Sequence, residues 1–254
     1  MSIKRFKSLI RRLLPKHQAP HRIFAGPLRG MRIVTSWYDY PAAILGYTER
    51  TLLDWFAENV NEGETWLDIG AHYGYTALAL SRLVGSSGRV IAFEPMIMTA
   101  GCIQKTARLN RLPQLVVVPM ALGNPDDIGF QEMSTIRGMV DGTIEVDSEV
   151  IYFYLARPSW IWPRICNQSD VINGVKIDVQ GMEVEVLEGM LSLLQAHRPK
   201  LVVEFHKGVN REGLLELIEL GGYAPDSANP IDYIQGESTL QFLDNRSYYF
   251  NPEL

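Results

Sequence analysis

The sequence predicts an α/β domain built on a doubly wound, Rossmann-like, mostly parallel seven-stranded sheet, with a helical N-terminal extension. Three observations carry that prediction. Beyond about Tyr40, short β-branched or apolar runs alternate with segments of helical periodicity, the order expected of consecutive βα units. The first apolar run leads directly into a glycine-bearing turn and a helical segment, which is where such sheets bind ligands. Finally, 254 residues of which 46% are hydrophobic suffice for one large core.

The elements follow in order. Ile3, Phe6, Leu9, Ile10, Leu13 and Leu14 recur at helical spacing among Lys4, Arg5, Lys7, Arg11 and Arg12, and Pro15 ends the pattern. Such a helix either docks on an anionic membrane surface or partner, or packs on its own domain. We therefore expect a basic extension over residues 1–39 and a catalytic domain over 40–254. Thr65 to Ile69 reads as the first strand, Ala77 to Leu83 as its helix, Arg89 to Phe93 as the second strand and Thr99 to Asn110 as the next helix. Leu115 to Pro119 and Gly174 to Asp178 give two more strands, Glu183 to Gln195 a helix, Leu201 to Phe205 a fifth strand and Glu212 to Leu220 a helix. Gly222 onwards and Gln241 to Phe250 supply two closing strands. Residues 124–173 interrupt the rhythm, and their aromatic content, Trp160 and Trp162 included, suggests either a lid that contacts substrate or a local hydrophobic cluster without a ligand.

Charge narrows the partners. The net charge is -5, yet nine Lys and Arg precede Asp39 with no acid among them, which leaves 15 basic against 29 acidic residues in the remainder. An acidic domain is a poor match for nucleic acid. Cys102 and Cys166 form neither a zinc pattern nor a disulfide framework. No stretch has the length of a membrane span and no secretory signal is evident at the start, so a cytoplasmic location is expected.

The segment Trp66-Leu-Asp-Ile-Gly-Ala-His-Tyr-Gly74 carries the strongest chemical signal. Gly70 and Gly74 give GxxxG and not the dinucleotide fingerprint. Asp68 at the strand end would repel a pyrophosphate, whereas it suits S-adenosylmethionine, which has no phosphate and carries an ammonium and a sulfonium. Glu94, at the end of the second strand, is placed to accept hydrogen bonds from ribose hydroxyls. Ala121, after the third strand, is small enough for adenine to approach the backbone. A nicotinamide-dependent oxidoreductase would need the missing fingerprint.

With these segments in view, the chain resembles the FkbM-type methyltransferases over roughly Gly30 to Pro252. Leu67-Asp-Ile-Gly-Ala-His-Tyr-Gly-Tyr-Thr76 is similar to the family's first motif and Ala92-Phe-Glu-Pro95 to its second. Val175-Lys-Ile-Asp-Val-Gln-Gly-Met-Glu183, Val186-Leu-Glu-Gly189, Arg198-Pro-Lys-Leu-Val-Val-Glu-Phe-His206 and Gly46-Tyr-Thr-Glu49 resemble further family segments. The resemblance implies the class I methyltransferase fold, S-adenosylmethionine as donor, and O-methylation of a hydroxyl on a glycan, polyketide or related secondary metabolite. His72, Thr76 and Pro95, which fall within the first two motifs, join the expected cofactor contacts. Two positions depart from the family: Gln180 stands where Glu is usual, and His72 where Asn is frequent.

Transfer to a hydroxyl needs a base near the carboxyl ends of the strands. Asp178 and His206 end the fourth and fifth strands and are the expected catalytic residues, with Tyr47, Glu49, Lys176 and Glu204 as further substrate contacts. Lys176 and Asp178, two apart on one strand, share a face and either serve the site or neutralise each other. No compact metal motif is present, so a metal-independent mechanism is expected. The contrasting reading, prompted by Gln180, is a cofactor-binding or assembly protein without catalysis.

Overall fold

The computed structural model describes residues 13–136, 139–140, 149–167, 169–231 and 242–252; the basic helix expected over residues 3–14 lies almost wholly outside them. The chain runs β1 (Ala19–Arg22), β2 (Arg32–Thr35), α1 (Pro41–Leu45), α2 (Arg50–Asn59), β3 (Thr65–Ile69), α3 (Tyr75–Leu83), β4 (Arg89–Phe93), α4 (Ile97–Asn110), β5 (Leu115–Val118) and β6 (Ala121–Leu122). It continues with β7 (Gly129–Ile136), β8 (Met139–Val140), β9 (Glu149–Ala156), α5 (Pro158–Ile165), β10 (Gly174–Ile177), α6 (Glu183–His197), β11 (Lys200–Phe205), α7 (Arg211–Leu220), a 3₁₀ turn (Pro225–Ser227), β12 (Asn229–Pro230) and β13 (Arg246–Phe250).

The main sheet has seven strands in the order β12-β13-β11-β10-β3-β4-β5. Strands β5, β4, β3, β10 and β11 run parallel, and β13 is antiparallel to both β11 and β12. This is the predicted sheet, with the order reversing between β3 and β10, the switch point where ligands bind.

Alternation along each strand divides the apolar residues between two faces. Trp66, Val90, Ala92 and Val202 join a core with Phe56 of α2, Leu78 and Leu80 of α3 and Ile103 of α4. Leu67, Ile69, Ile91, Phe93, Val175, Ile177 and Val203 join a second core with Val186, Leu187 and Met190 of α6 and Leu214 and Ile218 of α7. Both sheet faces are thus covered by helices, which explains why the parallel strands read as continuous apolar runs.

Two segments differ from expectation. The stretch assigned to an extension is partly built into the domain: β1 and β2 pair in antiparallel register, and Ile23, Leu28, Ile33 and Val34 are buried in the first core. Basic residues between them hide that contribution in the sequence. The interruption at 124–173 forms a small second sheet, β6-β9-β7-β8, followed by α5. Trp162 is buried in the second core with its ring edge-on to His197, and Arg164 lies over the ring of Trp160. These tryptophans serve packing between α5 and α6 and do not line the cavity at the strand ends, which corrects their expected substrate role.

Candidate active site

A cavity of about 360 Å³ opens at the carboxyl ends of the parallel strands, within the size range of small-molecule sites. Of the expected cofactor residues, Gly70, His72, Glu94, Pro95 and Ala121 line it, while Asp68, Gly74 and Thr76 lie behind its wall.

Glu94 is 5% exposed and accepts hydrogen bonds from the backbone N–H of His72 (2.8 Å) and of Met96 (2.9 Å), one on each oxygen. The carboxylate is therefore fixed, with lone pairs left for a ligand's hydroxyls. Burial pushes its pKa up to about 7 against those two hydrogen bonds.

Asp68 is fully buried. It accepts the Thr76 hydroxyl on Oδ2 (2.6 Å), and its Oδ1, 3.5 Å from Lys176 Nζ, receives no hydrogen bond. Burial closes off the direct contact with a ligand ammonium that its sequence position suggested. Lys176, beside it in parallel register, is 4% exposed and also bonds Asp178 Oδ2 at 3.0 Å. Lys176 is consequently a buried counter-ion; burial opposes its charge, but Asp178 and Asp68 outweigh that and hold it firmly protonated.

Gly70 brings the first turn against the strand beside it. Its φ is +83°, and a Cβ there would sit 1.8 Å from the Asp178 carbonyl oxygen, so no side chain is accommodated. His72 follows with φ 49°, a left-handed conformation that few non-glycine residues adopt. The His72 ring packs at 5.1 Å from the ring of Tyr40, and burial holds its pKa down to about 4, so it is neutral at neutral pH.

The opposite wall is a charged cluster. Asp178, Gln180 and Glu204 line the cavity, and His206, 6% exposed, joins them from behind. His206 Nδ1 lies 2.7 Å from Glu183 Oε1, and Nε2 lies 3.4 Å from Glu204 and 3.5 Å from Asp178. Burial disfavours the imidazolium, but these three carboxylates override it and push the pKa up to about 10. A ring already holding its proton is no free base at neutral pH. With both ring nitrogens protonated, the Gln180 amide, 2.9 Å from Nε2, turns its oxygen toward the ring. Asp178 is held below the usual carboxylate range: burial raises it, but Lys176 and His206 prevail. Glu183, fully buried, anchors the turn by accepting from the N–H groups of Val179 and Gly181. Asp178, Glu204 and His206 bring their potential ligand atoms within 4.8 Å of one another, but a ring protonated on both nitrogens offers a cation no lone pair.

The remaining expected residues separate. Glu49 and Glu204 line this cavity and also a neighbouring polar hollow, whereas Tyr47 lines the hollow alone. Sequence reasoning missed Asp39, Tyr40, Thr48, Met96 and Met182 on the cavity wall. Only tertiary packing brings them there, though the left-handed Glu49 (φ 52°) and Gln180 (φ 57°) mark the wall as a place where backbone strain concentrates.

The wall residues fit S-adenosylmethionine. Glu94 offers a fixed carboxylate to which ribose hydroxyls can donate, on the wall of a cavity of small-molecule size.

Known proteins are similar to this chain in sequence and in fold. The sequence model of the Methyltransferase FkbM domain matches residues 68–248. The hexuronic acid methyltransferase AglP of Haloferax volcanii is 28% identical over 183 residues, 67% of either chain. Among solved structures, the methyltransferase FkbM from Methylobacillus flagellatus KT has a TM-score of 0.48 at 15% identity, over 78% of this chain and 50% of that one, so this chain matches about half of its length. Fibrillarin from Aeropyrum pernix, solved with bound S-adenosyl-L-methionine, has a TM-score of 0.49 at 16% identity, over 92% and 82%. No helix among the described residues is long and apolar enough to cross a membrane. The family match spans most of the sequence and begins at Asp68 itself: the chain belongs to the FkbM family of methyltransferases and uses S-adenosylmethionine.

Proposed function

We propose that this methyltransferase acts on a hydroxyl, and that the acceptor belongs to the glycan class. The observation that carries the reading is the pairing of Glu204, on the cavity wall, with a protonated His206 behind it at 3.4 Å. S-adenosylmethionine, when bound, supplies an electrophilic methyl carbon. Glu204 accepts the acceptor's hydroxyl proton, and His206, itself held by Glu183, keeps that carboxylate in place. Asp178 already accepts from Lys176, which leaves it to orient the hydroxyl. A carboxylate is base enough, because an alcohol oxygen becomes acidic as its new bond forms. Gly70, His72, Glu94, Pro95 and Ala121 hold the cofactor from the other wall, with Asp68, Gly74 and Thr76 supporting the turn. The glycan class is supported by the relative named for a hexuronic acid.

The test is transfer of labelled methyl from S-adenosylmethionine to a panel of glycosides, followed by mild alkali. A base-stable methyl ether is expected. Label released by alkali would mark an ester and overturn the hydroxyl reading.

A further inference from the structure

Beside the cofactor cavity lies a second hollow of about 320 Å³ that shares Glu49 and Glu204 with it. The rest of its wall comes from Tyr47, Arg50 and Thr51 at the start of α2 and from Asn245 and Ser247 at the start of β13. Ser247 faces Glu204 in the antiparallel register of β11 and β13. Asn245 is in a left-handed conformation (φ 55°), fixed by its N–H bond to the Phe205 carbonyl at 2.6 Å.

We propose that this hollow is the acceptor subsite and that it takes an uncharged, hydroxyl-rich ring, a neutral sugar unit, whose reacting hydroxyl reaches the cofactor cavity between Glu49 and Glu204. This deepens the hydroxyl reading above and rests on it. Because those two carboxylates line both spaces, a ligand seated in the hollow meets them on its way to the methyl group. The hydroxyls of Tyr47, Thr51 and Ser247 and the amide of Asn245 both donate and accept, as sugar hydroxyls do, and the carboxylates accept from them strongly. Tyr47, 62% exposed, adds a ring at the rim for an apolar sugar face. Charge sets the selectivity. Glu49 and Glu204 line both spaces and Asp178 lines the cofactor cavity, while Arg50, the one cation among the described residues lining the hollow, is exposed. Lys176 and His206 offset only part of this charge, because Asp68 and Glu183 also lie against them, so a carboxylate presented for methylation there would be desolvated against a net excess of negative charge. The hexuronic acid in the relative's name is therefore not the acceptor group this wall selects.

The test uses the full chain saturated with S-adenosylhomocysteine, its binding first verified by calorimetry, and saturation-transfer NMR with methyl glucoside and methyl glucuronide at equal concentration. The glucoside is expected to take up saturation at least about fivefold more strongly than the glucuronide, in keeping with a penalty for unpaired buried charge. Thr51→Trp, which fills the hollow, is expected to lower the glucoside signal by about fivefold or more while S-adenosylhomocysteine affinity stays within about twofold. Tyr47→Ala, on the exposed rim, should weaken it in the same direction. Equal or greater uptake by the glucuronide, a glucoside signal that survives both variants, or no glucoside signal at all overturns the proposal. Failure to bind S-adenosylhomocysteine would overturn the cofactor assignment instead, and the subsite with it.

Discussion

Glu94 is held between two opposing effects. Burial lifts its pKa to about 7, while two backbone N–H groups favour the ionised form. Ribose hydroxyls need the carboxylate, so cofactor binding should favour ionisation and strengthen as pH rises through 7. Calorimetry is expected to find S-adenosylmethionine bound about tenfold more weakly at pH 6 than at pH 8. Glu94→Gln should flatten that dependence and weaken binding by about tenfold, the loss of a charged acceptor. An unchanged affinity in the variant would remove Glu94 from the site. On the other wall, Glu204→Gln is expected to lower kcat by about a hundredfold, in line with the loss of a positioned base, with cofactor affinity within about twofold; a kcat near wild type would transfer the proton to another group. At this scale the sequence exposed Asp68, Glu94, Asp178 and His206 as chemically unusual. It did not show that Asp68 would be sealed beneath the wall or that His206 would hold its proton, since both follow from neighbours on other elements.

Elements show how much of the site depends on close approach. The turn after β3 and the end of β10 meet at Gly70, where a Cβ would lie 1.8 Å from a carbonyl oxygen. Gly70→Ala is expected to destabilise the fold by about 3 kcal/mol or more, through a left-handed backbone and direct overlap, measured by denaturant unfolding. Gly189 plays a comparable part inside α6, where a Cβ would stand 2.1 Å from the Gly123 carbonyl oxygen, and this explains a glycine in the middle of a helix. The contact between α5 and α6 supplies a contrast. Trp162→Ala should cost about 3–5 kcal/mol of stability and leave KM for the acceptor unchanged; a selective rise in KM would restore Trp162 to substrate binding. The parallel strands and their helices were legible because each is long or strongly apolar. β12, two residues long, carries no periodicity of its own, and the hairpin of β7 and β9 lay within a segment whose aromatic content drew attention away from its alternation.

The whole molecule responds to pH through groups that belong to no single element. His206, raised to about 10, binds its proton more tightly in the folded state. Its contribution is fully present below the unfolded value near 6.5 and is lost as pH rises through 10. Glu94, raised to about 7, favours folding when protonated, so its contribution fades as pH rises from about 4.5 to 7. His72, lowered to about 4, acts in the opposite sense and withdraws stability as pH falls from 6.5. Above pH 7 His206 therefore dominates among the three. The thermal midpoint is expected to fall between pH 7 and 9.5 in the wild type and to fall less in His206→Asn; identical slopes would mean that His206 is not charged in the folded chain.

The sequence by itself determined the sheet and the family, because strand hydrophobicity and motif spacing are local properties that survive without a fold. Tertiary structure decided the rest. It placed β1 and β2 in the core, moved the tryptophans away from the cavity, buried Asp68 with Lys176, charged His206, and set a second hollow against the first across Glu49 and Glu204. Each of these depends on which distant side chains share a small, poorly solvated volume, and burial and opposing charge in that volume outweigh any preference a residue carries alone.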